Sequence, residues 1–249
     1  MTMRLASCLF WLFLTLSSIV LLPIAVVVWA VTAPFDRRKA ALHLFTCFWA
    51  SLYTWLNPAW PVTIIGREKL RSDRAHVLVS NHLSLIDILV LFRLFSHYKW
   101  VSKIQNFRIP FIGWNMSLNG YIKLKRGDRQ SVMKMLRECE ATLASGSSIM
   151  MFPEGTRSAT GRMRSFKPGA FEVAIKTRSP IQPMVIDGSA NALPKGGFVL
   201  QGRHPITLTV LDAVPPEEFG DRSAEELSLY VRGLIARQLE ENARARESQ

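Results

Sequence analysis

The sequence predicts an α/β domain carried on hydrophobic N-terminal membrane-anchoring helices. Three observations point there. Residues 5–35 contain no charged side chain. From about residue 61, short β-rich runs alternate with helical patterns, the signature of an α/β layer fold. The chain is also apolar and basic at once, 49% hydrophobic with a formal net charge of +12. Its 249 residues suffice for a domain plus an anchor, divided here as residues 1–60 and 61–249.

Taken in order, residues 5–35 as one helix would measure about 46 Å at roughly 1.5 Å per residue. That exceeds the roughly 30 Å hydrocarbon core. Either the helix tilts, or Pro23 breaks it into two pieces that dip in and return. A cleaved signal peptide is not expected, because its apolar run would be far shorter and no small-residue cleavage site follows at the usual distance. Residues 40–60 are again uncharged and hold Trp49, Tyr53, Trp55 and Trp60, aromatics that settle at headgroup level, so this helix is expected to be interfacial. Between the two lies the cluster Asp36, Arg37, Arg38 and Lys39, of the kind retained on the cytoplasmic side. Residues 1–60 carry +3 and the remainder +9, which suits an anionic membrane surface and places the domain at the cytoplasmic face. Nucleic acid is a poor partner, because the charge comes with a lipid-seeking N-terminus. The odd count of three cysteines, with Cys8 and Cys47 in apolar stretches, agrees with a reducing compartment.

In the domain, AHVLVS (75–80) reads as a buried strand and IDILVLFRLF (86–95) as the helix after it. YIKLK (121–125) alternates apolar and basic residues. Asp128 caps a helix with the stripe Val132, Leu136, Cys139 and Leu143, closed by Gly146. SIMMF (148–152), IQPMVI (181–186) and ITLTVL (206–211) are further strands, Pro183 marking its own as edge or bulged. Ser223 and Glu226 form a capping box before a C-terminal helix, and residues 240–249 read as a charged, frayed end.

Two stretches carry candidate chemistry. In SNHLSLIDIL (80–89), Ser84 and Asp87 have the form of a capping box, while His82 and Asp87 form an imidazole and carboxylate pair. Residues five apart on an ideal helix differ by about 140° in direction, so the pair can meet only if His82 lies in the turn. Ser84 as a cap would place it there. On its own H-x-x-x-x-D is equally the pattern of a solvated or core-satisfied histidine. FPEGTRS (152–158) follows a β-rich run, where α/β sheets hold ligands. Arg157 offers the fork that binds phosphate in two bonds, and Glu154 an acceptor for a hydroxyl. The histidines are scattered and the cysteines lack ligand spacing, so no metal is expected.

SNHLSLID, GYIKLKR, FPEGTRS with GRMRSFKPG, and SPIQPMVIDGS, in that order and spacing, resemble the four motifs of the glycerolipid acyltransferase family, which includes 1-acylglycerol-3-phosphate acyltransferases. The resemblance runs from about residue 60 to residue 212. It implies a mixed β-sheet flanked by helices and an acyltransferase catalytic domain over residues 61–249. The implied reaction is acyl transfer from acyl-CoA or acyl carrier protein to the sn-2 hydroxyl of a lysophospholipid acceptor, giving phosphatidate, with no cofactor beyond the donor. His82 would be the general base and Asp87 would fix its tautomer. Lys103, Arg126 and Arg157 match phosphate-binding positions, with Glu154, Gly155 and Thr156 beside them in the substrate site. Lys123 and Lys125 depart from the family's usual apolar residue and acid. Two rivals stand beside this reading: acylation of another lysolipid such as a lyso-ornithine lipid, and a non-enzymatic basic membrane-binding protein.

Overall fold

The computed structural model describes residues 3–247 except Ser72, Ala159 and Lys195. Helix α1 (Met3–Thr32) is followed by α2 (Ala40–Trp55) and strands β1 (Val62–Ile65) and β2 (Val77–Ser80). Next come α3 (Ile86–Phe92), β3 (Tyr98–Lys103), α4 (Ile112–Leu118), β4 (Ile122–Leu124), α5 (Arg129–Ala144) and β5 (Ser148–Met151). The chain closes with α6 (Gly169–Thr177), β6 (Ile181–Asp187), β7 (Ile206–Val210) and α7 (Ala224–Glu247). The strands make one sheet in the order β1-β7-β6-β2-β5-β3-β4, parallel throughout except for the antiparallel β6–β7 pair. It is therefore the mixed, helix-flanked sheet that was expected.

Strand alternation builds a core on each face. Val77 and Val79 with Ile149, Met151, Ile181 and Val185 pack against α5, α6 and α7. Leu78, Met150, Met184 and Ile186 face the other way, toward α2 and α3. Burial on both faces explains why these strands read as continuous apolar runs. Asp128 caps α5 as predicted, accepting from the Ser131 N–H at 3.0 Å. The capping box at Ser223 and Glu226 also forms, at 2.8 and 3.2 Å.

The structure decides one open alternative and corrects several expectations. Helix α1 is unbroken through Pro23, the first of the two alternatives for residues 5–35. Strands β1 and β3 and helix α4 add to the elements expected, and α3 stops at Phe92 rather than residue 95. Pro183 lies in an interior strand, between β7 and β2. Around it the pairing slips by one residue, from Met184 opposite Val210 to Ile181 opposite Val214. This bulge lies on the partner's side and accommodates a residue that cannot donate to the ladder. Residues 240–247 continue α7, and Arg246 reaches Asp187; residues 248–249 lie outside the described residues.

Residue 60 is not a gap in packing. Cys47 and Ala50 of α2 and Trp60 belong to the same buried cluster as Leu78 and Ile86. The inner stripe of α1, including Leu14, Leu21, Leu22, Ala25 and Val28, packs on Leu42, Trp49 and Tyr53 of α2. Its outer face exposes Leu12, Leu16, Ile19, Val20 and Val27, on a helix long and apolar enough to cross a membrane. The basic cluster is partly spent on the fold. Lys39 Nζ donates to the Leu118 carbonyl at 2.7 Å and Arg38 to the Gly146 carbonyl at 3.1 Å, cations on carbonyls at and just beyond two helix C-termini.

The join between α2 and the sheet contains two imidazoles held neutral by burial. His43 donates from Nε2 to the Ser96 carbonyl (3.0 Å) and accepts from Tyr121 (2.8 Å). Burial drives its pKa well below the usual imidazole range, and burial pushes His97 down to about 4. Protons therefore bind preferentially to the unfolded chain between the ordinary value of 6.5 and about 4. The stability contributed by the neutral rings is present above pH 6.5 and is lost as pH falls through that window. The urea midpoint should drop accordingly, and His97→Gln should flatten the dependence; an unchanged slope would leave the carboxylates as its source.

Candidate active site

Strands β6, β2 and β5 are parallel neighbours, and the crevice beyond their carboxyl ends is where open α/β sheets hold ligands. Leaving β2, the chain reaches Asn81, which is fully buried. Its side chain donates to the Ile186 carbonyl (2.8 Å) and accepts from the Ile186 N–H (2.9 Å). The amide thereby prolongs the β2–β6 ladder where the backbone has turned away. His82 then lies in the turn before α3.

The expected box at the start of α3 forms in part, around Ser84 rather than at Leu85, which precedes the helix without a side-chain cap bond. The Ser84 hydroxyl accepts from the Ile86 N–H at 3.4 Å and also donates to the Leu193 carbonyl at 2.9 Å. Asp87 serves the open backbone donors on the other side. Its Oδ2 accepts from the N–H groups of Leu83 (2.7 Å) and Ser84 (2.8 Å), and from His82 Nδ1 at 2.9 Å. Since this oxygen accepts, Nδ1 carries the proton, and Nε2 is left with the lone pair. The imidazole also stacks on Phe152, with centroids 3.8 Å apart and planes 8° from parallel.

The turn after β5 is tied to this loop through Glu154, which is 3% exposed. One oxygen accepts from the His82 N–H (2.7 Å), the other from the Arg164 N–H (2.9 Å). Burial raises its carboxyl pKa, an effect the two backbone bonds only partly offset. The sequence reading made Glu154 an acceptor for a substrate hydroxyl. Both oxygens are instead committed to backbone, and Glu154 fixes the histidine's main chain.

His82 lines a cavity of about 770 Å³. Its wall is largely aromatic and aliphatic, with Trp49, Tyr53, Leu89, Phe92 and Trp100 from α2, α3 and β3 and Trp11 from α1. Lys103, at the end of β3, Arg126 and Gly155 line it as well. Strand β4 ends at Leu124, so Arg126 is placed by the following turn rather than by strand alternation, and partial burial lowers its pKa. Thr156 and Arg157 are half-buried in the turn beyond Gly155 and are not among the lining residues. Lys167 does line the cavity, its side chain lying against Gly155, whose positive φ of 71° and close neighbour both favour glycine. Lys123 sits over the Phe107 ring and Lys125 pairs with Asp128, both on the surface. Among the described residues, no group of three or more His, Cys, Asp or Glu side chains is arranged to hold a metal.

A family profile described as Acyltransferase matches residues 61–187. The chain belongs to the acyltransferase family. It is 39% identical over 207 residues to a 1-acyl-sn-glycerol-3-phosphate acyltransferase of Chlamydomonas reinhardtii, covering 82% of this chain and 60% of the relative. A relative of the same description from Helicobacter pylori is 32% identical over 173 residues, covering 67% of this chain and 71% of that one. The chain thus spans about three fifths of the algal relative's length, and 46% of that of the Arabidopsis thaliana chloroplast relative LPAT1. The fold is that of the crystal structure of the 1-acyl-sn-glycerophosphate (LPA) acyltransferase PlsC from Thermotoga maritima. That structure aligns over 97% of this chain and 98% of its own at TM-score 0.77 and 25% identity.

Asn81, Phe152, Lys167 and Ser189 are residues of this site that sequence reading did not assign. All four lie within the quoted motifs, Asn81 in SNHLSLID, Phe152 in FPEGTRS, Lys167 in GRMRSFKPG and Ser189 in SPIQPMVIDGS, but spacing alone gave none of them a role. The Glu154 clamp makes a direct prediction. A glutamine there must turn its amide NH₂ toward one of two backbone donors, so Glu154→Gln should cost about 1–3 kcal/mol. Urea denaturation checks this, and an unchanged midpoint would show that the bonds are dispensable.

Proposed function

We propose that the chain transfers a fatty acyl group from acyl-CoA or acyl carrier protein to the sn-2 hydroxyl of 1-acylglycerol-3-phosphate, giving phosphatidate at the cytoplasmic face of a membrane. The observation that carries this reading is the His82–Asp87 pair opening into an apolar cavity that also contains Lys103, Arg126 and Lys167. Relatives named for this reaction support it.

The chemistry follows from the bonding. With Nδ1–H held by Asp87, the Nε2 lone pair of His82 takes the hydroxyl proton as the oxygen attacks the thioester carbonyl. The tetrahedral intermediate collapses, the carbon–sulfur bond breaks, and the thiolate leaves with the proton returned by the imidazolium. No side-chain acyl intermediate is required, because an alcohol assisted by a base reacts with a thioester directly. The apolar wall takes up hydrocarbon and excludes water, which would compete as nucleophile. The cationic groups hold the phosphate of the acceptor, with Arg157 in the same role from the adjoining turn. The apolar outer face of α1 and the basic surface hold the protein on an anionic membrane, where both lipids reside.

Purified protein with a panel of lysolipids tests the reading. His82→Ala should abolish transfer, and Asp87→Asn should lower kcat by about 10²-fold or more while the fold persists. Full activity in the His82 variant would remove the general-base role. Lys103→Ala and Arg126→Ala should raise KM about tenfold for lysophosphatidate and leave a phosphate-free lysolipid unaffected. Equal effects on both acceptors would refute the phosphate assignment. Preferred turnover of a lyso-ornithine lipid would favour that acceptor instead.

A further inference from the structure

The second oxygen of Asp87 points to an unassigned residue. Asp87 is fully buried, and three of its four bonds converge on Oδ2. The fourth reaches Oδ1 and comes from the hydroxyl of Ser189, at 2.5 Å. Ser189 is itself fully buried, 102 residues away in sequence, in the turn after β6.

We propose that Ser189 is a positioning residue for acyl transfer, acting through Asp87 to set the orientation of His82; this rests on the His82 general-base reading. Three donors on one oxygen fix where Oδ2 lies but not how the carboxylate plane is turned about it. A hydroxyl on Oδ1 supplies that second point. The plane decides whether a lone pair of Oδ2 meets Nδ1–H in line, and hence where Nε2 aims in the cavity. Within a hydrogen-bonded catalytic unit, such an outer partner is worth a large share of the rate.

The turn that holds Ser189 is rigid, as the role demands. Gly188 has φ of 86°, and a Cβ there would meet the Pro205 carbonyl oxygen at 2.1 Å, so only glycine allows the approach. On one side Ile186 is gripped by Asn81, and on the other the Leu193 carbonyl accepts from Ser84. Residues 186–193 are thereby tied at three points to residues 81–87, and Ser189 is the tie that touches the catalytic pair. The contact is not bulk packing: it is one hydroxyl on an oxygen that has no other hydrogen-bond partner among the described residues.

The test is Ser189→Ala, Ser189→Thr and the Ser189→Ala/Asp87→Ala double variant in full-length protein, each with its thermal midpoint recorded. Ser189→Ala should lower kcat roughly ten- to a hundredfold with KM for donor and acceptor unchanged, and Ser189→Thr should restore most of it. In the Asp87→Ala background, losing the hydroxyl should cost nothing further, since its route runs through the carboxylate. Unchanged kcat in Ser189→Ala, equal loss in both single variants, or multiplying effects in the double variant would overturn the assignment. The downfield proton resonance of His82 Nδ1–H gives a readout independent of turnover. It should broaden or shift in Ser189→Ala and return in Ser189→Thr. If wild-type protein transfers no acyl group, the proposed function fails while this resonance still decides whether Ser189 orients the pair; no change in it would refute the positioning role.

Discussion

A carboxylate with no access to water organises this protein. Burying a charge is costly unless protein dipoles replace its hydration shell. Asp87 obtains four donors: one imidazole, two backbone N–H groups and one hydroxyl. Three lie within five residues of it, and the fourth arrives from the far side of β6. Much of the surrounding architecture keeps those donors in place. Asn81 grips Ile186, Ser84 grips the backbone at Leu193, and Glu154 grips the backbone at His82. The pairing of His82 with Asp87 thus amounts here to solvating one ion, spread over three loops at the carboxyl ends of three adjacent strands.

The cavity divides its polarity in a way that suits a substrate with two chemically different ends. Its wall is mostly aromatic and aliphatic, and the few cations in it come from strand ends and turns rather than from the helices. Helices α1 and α2 supply part of the apolar wall, so the segment that seeks lipid on its outside also shapes the site on its inside. Trp11 of α1 shows the coupling, lining the cavity while its indole N–H donates to the Phe198 carbonyl at 2.7 Å. Arg38 and Lys39 strengthen the same junction by neutralising carbonyl dipoles on α4 and after α5. A basic sequence cluster is therefore spent in part on the fold.

Much of the fold was legible because its signals are local. The runs at 75–80, 148–152, 181–186 and 206–211 are buried on both faces and so read as unbroken apolar strands. Asp128 and the Ser223–Glu226 box stand next to the backbone donors they satisfy. The elements missed are those whose partners are distant. Strand β3 contains Lys99, a strand-disfavoured charge until its ammonium finds the Asn119 carbonyl, and burial lowers it to about 8. Helix α2 read as interfacial because its aromatics suit a headgroup layer equally well as a core. Residues 240–247 read as frayed because the Arg246–Asp187 pair that closes α7 on β6 joins residues 59 apart in sequence.

The same division runs through the site. Spacing along the chain allowed His82 to meet Asp87, since a turn followed by a first helical turn can bring residues five apart together. The basic, apolar pattern of the chain likewise pointed to lipids. What those residues lean on is set by the fold. It ties Ser84 to the Leu193 carbonyl as well as to the start of α3, makes Glu154 a backbone clamp, brings Lys167 into the cavity and sets Ser189 on Asp87. Each of these depends on a partner far away in the chain or on which way a turn faces, and neither is encoded in spacing along it.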